Sequence, residues 1–93
     1  MNEIDFFYIL GFVKASKLRL KVLEAIGTEA LMPSEISAQT DIRTSQVSSA
    51  LSDLKDKGLV ICMNDKMRKG RLYRCTSQGL EVLKYLLFNS IYG

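Results

Sequence analysis

Residues 33–58, PSEISAQTDIRTSQVSSALSDLKDKG, read as two helices joined by a very short turn. Pro33 suits a first helical position, where its fixed φ and missing N–H cost nothing. Ser34 and Glu35 fill the first turn, Ile36 and Ala38 are expected to face inward, and the helix stops near Thr40. Asp41-Ile42-Arg43 leaves room only for a tight turn. From Thr44 to Lys57, Val47, Leu51 and Leu54, with Ala50 beside them, repeat at helical spacing as a narrow apolar seam. Gly58 then offers a left-handed stop. Thr44, Ser45, Gln46, Ser48, Ser49 and Ser52 crowd the other faces of the first half. Serine and threonine are mediocre helix formers, so this composition needs a reason beyond propensity. A merely solvated face is the blander reading.

Beyond Gly58 come two short runs rich in apolar and β-branched residues, Leu59–Met63 and Leu72–Thr76. The polar, Gly-containing segment between them makes an antiparallel hairpin the natural reading. Lys66, Arg68, Lys69, Arg71 and Arg74 place five cations, and no acid, within nine residues. The whole chain carries only +3, so the rest is slightly negative. A local basic cluster on a near-neutral body is the footprint of a nucleic-acid binder, though a solvated loop can look similar. A hairpin symmetric about the Arg68–Lys69 bond would set Cys62 against Cys75. Direct cross-strand bridges are strained, so the two cysteines are read as small apolar residues rather than a redox switch.

The flanking segments are helical and conspicuously apolar. Asn2 to Lys14 has Asn2 as cap and Glu3 and Asp5 at the positive end of the helix dipole. Ser16 caps the next helix, in which Leu18, Val22, Leu23 and Ile26 repeat up to Gly27. At the other end, Thr76 or Ser77 caps a last helix striped by Leu80, Leu83, Leu87 and Ile91 and widened by Val82, Leu86, Phe88 and Tyr92. Phe6, Phe7, Leu10, Leu86, Leu87 and Ile91 are the candidate contacts of a homodimer built by segments 1–14 and 80–93, because large exposed apolar patches usually mark interfaces. The alternative is that the two helices cover each other within one subunit.

Four pieces stand in a recognisable order: Ser16-Lys17-Leu18-Arg19-Leu20-Lys21-Val22-Leu23; Pro33-Ser34-Glu35-Ile36-Ser37; Val47-Ser48-Ser49-Ala50-Leu51 through Lys57-Gly58-Leu59-Val60; and Gly70-Arg71-Leu72-Tyr73-Arg74-Cys75-Thr76 before Gly79. Together they resemble winged-helix transcriptional regulators of the MarR/ArsR-like type, especially small prokaryotic and archaeal ones. The resemblance implies an α+β, mainly α fold: a winged helix-turn-helix with terminal helices flanking the core and a two-stranded β-hairpin wing. It implies a transcriptional regulator whose partner is double-stranded DNA. Thr44–Lys57 would be the recognition helix in the major groove, presenting Thr44, Ser45, Gln46, Ser48 and Ser49, with Arg43 reaching phosphate or guanine. The basic wing, with Lys66, Arg68, Lys69 and Arg71, would lie on the sugar–phosphate backbone or in the minor groove. Two positions depart from the pattern. Arg43 stands where a small hydroxyl usually caps the recognition helix, so either Thr44 takes over the capping or Arg43 is directed at DNA. Met32 stands where a hydroxyl would precede Pro33.

Composition narrows the remaining classes. At 93 residues the chain is expected to form one domain, 1–93. No histidine and two cysteines leave no zinc-type ligand set, and no metal or cofactor is expected. No phosphate-binding glycine loop appears, and Asp41, Asp53, Asp56 and Asp65 are scattered over turns and exposed helix positions, so an enzyme is not expected. No secretory signal or membrane span is visible, so the cytoplasm is the expected compartment. A small-molecule effector, if one is sensed, would have to bind at the dimer interface. The competing reading is a winged helix used for protein–protein contact, which would want an apolar or mixed wing. Single-strand binding wants aromatic platforms, and Tyr73 is the only aromatic near the wing.

Overall fold

In the computed structural model, which describes residues 2–92 and the side chains of residues 2–89, the elements run α1 (Glu3–Lys14), α2 (Lys17–Ile26), α3 (Pro33–Thr40), α4 (Thr44–Asp56), β1 (Val60–Cys62), β2 (Tyr73–Cys75) and α5 (Ser77–Tyr92). The caps follow local chemistry. The Asn2 carboxamide accepts the Asp5 N–H at 2.9 Å and the Ser16 hydroxyl accepts the Arg19 N–H at 3.3 Å, each satisfying an orphan donor of a first turn. Met32 has no side-chain cap to give. The Glu35 carboxylate instead reaches back to the Met32 N–H at 2.8 Å, which starts α3 at Pro33 without a hydroxyl. Thr76 caps α5, its hydroxyl accepting the Gly79 N–H at 3.1 Å and donating to the Gly58 carbonyl at 2.6 Å.

The turn between α3 and α4 is held by side chains. Asp41 takes a left-handed φ of 59°, the Ser37 hydroxyl donates to the Ile42 carbonyl, and the Ile42 side chain is buried as the turn's anchor. Helix α4 ends as sequence chemistry requires. Gly58 has a φ of 73° and sends its N–H to the Lys55 carbonyl, while the Leu59 N–H reaches the Leu54 carbonyl, each at 2.9 Å. That paired closure needs a residue without a Cβ penalty at position 58. It also turns the chain directly into β1.

Helices α2, α3 and α4 pack around Val22, Leu23, Ile26, Ile36, Val47, Leu51 and Leu54, all essentially inaccessible to solvent. Ile36 faces this core as expected. Ala38 does not: it is exposed, because the inward stripe of so short a helix is already filled by Ile36. From α5, Val82 and Leu83 are buried in the same core. Gly79 lets α5 approach β1, since a Cβ there would collide with the Leu59 carbonyl oxygen.

The hairpin register is shifted by one residue from one centred on the Arg68–Lys69 bond. Val60 pairs with Cys75, Ile61 with Arg74 and Cys62 with Tyr73. Hydrogen bonds from the Met63 N–H to the Leu72 carbonyl (2.7 Å) and from the Thr76 N–H to the Leu59 carbonyl (3.0 Å) extend the ladder at both ends. The centre of the hairpin is therefore the Met67–Arg68 bond, and Cys62 lies diagonal to Cys75 rather than opposite it. Both thiols are free. Burial pushes the Cys75 thiol up from 9.0 to about 11, against a smaller opposing pull from Arg74, so it stays protonated and unreactive. Leu31 adds an unforeseen third position to the sheet, exchanging two backbone hydrogen bonds with Tyr73 at 2.9 and 3.0 Å. That bridge ties the α2–α3 connection to the wing. The architecture is a winged helix-turn-helix, α+β and mainly α, with the terminal helices flanking the core.

Candidate nucleic-acid interface

Helix α4 turns its whole apolar seam inward, so its outer surface is polar by default. Val47, Ala50, Leu51 and Leu54 are buried, whereas Arg43, Thr44, Ser45, Gln46, Ser48, Ser49 and Ser52 are exposed. Arg43 occupies the N-cap position, with an extended backbone (φ −57°, ψ 142°) and no side-chain cap. Thr44 is already the first helical residue, so it does not take over the capping. The first amides of α4 therefore keep their donors for an outside acceptor, beside the exposed Arg43.

At the helical repeat of 100° per residue, Ser45, Ser49, Ser52 and, at the C-terminal end, Asp56 stand furthest from the seam. Gln46 and Ser49 border a groove of about 140 Å³ with Ser16, Arg19 and Asp53. There the Arg19 guanidinium meets Asp53 at 3.3 Å, donates to the Phe12 carbonyl at 2.9 Å and stacks over the Phe12 ring at 4.0 Å. Arg19 thus offsets the acid of α4 closest to Gln46 and Ser49, and it braces α4 against α1 and α2.

On its other flank α4 faces the wing. Ser48, Ser52 and Lys55 form one wall of a cleft of about 410 Å³, with Arg68, Gly70 and Arg71 on the wing side. Ser52 and Lys55 lie outside the candidate set drawn from the sequence. Their spacing of four and seven residues from Ser48 is the signal that would have included them.

The wing loop is organised by its own residues. Asn64 is the pin: its carboxamide oxygen accepts the Leu72 N–H at 2.8 Å and its nitrogen donates to the Gly70 carbonyl at 3.0 Å. Arg71 bends back to the loop, its Nε donating to the Met67 carbonyl at 2.7 Å and an Nη to the Asp65 carbonyl at 3.3 Å. Sequence reasoning grouped Arg71 with the outward cations. It keeps its charge in the cleft, but two of its five N–H donors are committed to shaping the wing. Lys66, Arg68 and Lys69 are exposed on the loop, and Arg74 lies outward on β2 opposite Ile61. The outward wing is therefore mixed, since Ile61, Met63 and Met67 are exposed beside the cations.

The terminal helices present a different surface. Leu10 is only 6% exposed and belongs to the subunit's own core, which removes it from the interface set. Phe6 and Leu86 are half-buried, Phe6 meeting Tyr85 edge-on at 5.4 Å, because α1 and α5 pack on each other. Phe7 stays 53% exposed, and Ile4, Tyr8, Leu87 and Phe88 are exposed with it. The Ile91 side chain lies outside the described residues.

Among the described residues no helix is long and apolar enough to cross a membrane, and no group of three or more acidic, histidine or cysteine side chains could hold a metal ion. The helix-turn-helix with its cationic wing defines the class: a winged-helix domain. No family model matches this chain, and no curated protein matches it in sequence. Among solved structures it is similar to TubR bound to 24 bp of tubC, from Bacillus thuringiensis serovar israelensis pBtoxis, with a TM-score of 0.78, 12% identity and 96% of each chain covered.

Proposed function

We propose that this chain is a DNA-binding transcriptional regulator that reads duplex DNA with the outer face of α4 and grips the backbone or minor groove with its wing. The observation that carries the reading is the pairing of a hydroxyl-lined helix face with a pinned cationic loop across one open cleft. Short side chains such as Ser45, Ser49 and Ser52 let a helix backbone approach base edges, while Arg43, Lys55, Lys66, Arg68 and Lys69 supply phosphate contacts. That a protein of the same fold, TubR, is bound to a 24 bp segment of tubC supports the reading. The sequence motifs favour a MarR/ArsR-like relationship within the winged-helix class. The chain acts in the cytoplasm as a homodimer through Phe7, Leu87 and their exposed neighbours on α1 and α5. Such a dimer would present its two α4 helices roughly 34 Å apart, one turn of DNA.

Fluorescence anisotropy with a mixed-sequence duplex over a salt series, with single-stranded DNA as control, tests the reading. Binding at micromolar protein that falls steeply with salt is expected. Absence of duplex binding even at low salt would favour a second reading, a winged helix that docks on protein, for which the exposed Ile61 and Met63 on the wing's outer face speak.

A further inference from the structure

An apolar side chain at the tip of a cationic loop adds nothing to a purely electrostatic grip. Met67 is such a residue. It sits at the centre of the hairpin, 53% exposed, with Lys66 on one side and Arg68 and Lys69 on the other. Its backbone is fixed at both ends: the N–H donates to the Asn64 carbonyl at 2.9 Å and the carbonyl accepts from Arg71 Nε at 2.7 Å. Asn64 in turn holds Gly70 and Leu72, so the tip is tied to the base of the wing through side-chain hydrogen bonds. The loop's own hydrogen bonds offset the entropy of ordering it, so the tip is already oriented before any partner arrives and binding need not supply that cost.

We propose that Met67 is an apolar wedge that enters the minor groove and partly unstacks a base step, kinking the duplex, while Lys66, Arg68 and Lys69 hold the phosphates on either side. This rests on the DNA-binding reading above and adds to it a deformation that a cationic wing alone would not produce. Methionine fits the task because its unbranched, polarisable side chain slides between bases without a fixed shape. The preference it creates is for flexible pyrimidine–purine steps, which are the least costly to unstack.

The test uses a 30-bp mixed-sequence duplex with a flexible TA step at its centre and a fluorescent donor and acceptor at its ends. Anisotropy reports binding and energy transfer reports bending on the same sample, for the intact chain and for Met67→Ala, Met67→Leu and Met67→Lys. The intact chain is expected to bend the duplex, within the roughly 20–90° range of such wedges. Met67→Leu keeps the bend, whereas Met67→Ala abolishes it and weakens binding by up to about tenfold. Met67→Lys is the sharpest variant. A wing that is only electrostatic gains affinity from the added charge with unchanged geometry, whereas a wedge loses its bend even as the salt dependence steepens. Duplex binding with no bend, or an equal bend in Met67→Ala and Met67→Lys, overturns the wedge and leaves the DNA-binding reading standing. No binding by the intact chain overturns both.

Discussion

Helices α4 and α1 are nearly the same length, 13 and 12 residues, and they treat their apolar residues in contrasting ways. In α4 the four apolar residues, Val47, Ala50, Leu51 and Leu54, are all buried, and everything outside that seam is polar. In α1, Ile4, Phe6, Phe7, Tyr8, Ile9, Leu10, Phe12 and Val13 surround most of the cylinder, yet only Leu10 and Val13 are buried. Ile4 is 82% exposed and Tyr8 65%. A helix that has finished its packing leaves a wet face suited to a polar, hydrated partner. A helix that has not finished calls for another apolar surface. On the proposed reading, the difference would give α4 to nucleic acid and the exposed apolar face of α1 to a second copy of the chain.

The largest effect that would break this contrast lies inside α4 itself. Leu54→Ala removes a fully buried side chain from the core and is expected to cost about 3–4 kcal/mol. Ser49→Ala, five residues away on the exposed face, should change stability by less than about 0.5 kcal/mol. Urea unfolding followed by circular dichroism measures both. Comparable losses in the two variants would mean that the outer face is packed against something, and the assignment of α4 to DNA would fail.

Phe7→Glu asks the matching question of α1. Because Phe7 is half in water already, the charge should leave the fold intact. In a dimer it would sit in the interface and weaken association by about 2.5 kcal/mol, on the order of 70-fold. Sedimentation equilibrium of the two proteins at matched concentration decides. An unchanged mass distribution would return the exposed α1 face to the blander reading, in which α1 and α5 simply cover each other.

The two helices also differ in how far they could be read from sequence. For α4 the seam, the Gly58 stop and the polar remainder were all legible, because an amphipathic period and a left-handed glycine are local properties. Asn2 and Ser16 were legible as caps for the same reason, and Thr76 was one of two adjacent hydroxyls that could cap α5. In α1 the pattern is apolar almost everywhere, so periodicity carries no information about which side is covered. Only the packed fold could take Leu10 inside and leave Phe7 out. The wing shows the same limit. Its charges were visible, but its register depends on Asn64 bonding to Gly70 and Leu72 several residues away. The same goes for Arg71, whose guanidinium turns back to the loop. Leu31's bridge to Tyr73 joins positions far apart in the chain, and nothing local announces it.

A smaller effect separates the cations that face outward from the one that folds the loop. Alanine at both Arg68 and Lys69 should reduce the slope of log affinity against log salt by about 1.8, at roughly 0.9 per phosphate contact. At 0.15 M salt that corresponds to about a 30-fold loss for any duplex, with thermal stability unchanged. Arg71→Ala should instead weaken binding by loosening the loop, with a smaller change in slope. Equal slopes for the double variant and the intact chain would remove the wing from the DNA contact.

Gln46 offers the finest test, because it asks whether α4 reads bases at all. It is exposed in the first turn and a half of the helix, beside the groove where Arg19 offsets Asp53. A glutamine there can give adenine a bidentate pair, worth roughly 1–2 kcal/mol of discrimination at one base pair. Gln46→Ala should therefore leave affinity for mixed duplex within about tenfold and relax one position in each half-site. Binding-site selection on the intact chain and the variant shows whether that position loses its preference. If the consensus is unchanged, Gln46 only flanks the contact. The reading would then fall to Ser45, Ser49 and Ser52, whose place on the face opposite the buried seam brings them near whatever α4 touches. Serines hydrogen-bond to either base of a pair, so that outcome would predict a tolerant consensus, with much of the specificity coming from the shape of the duplex that the wing deforms.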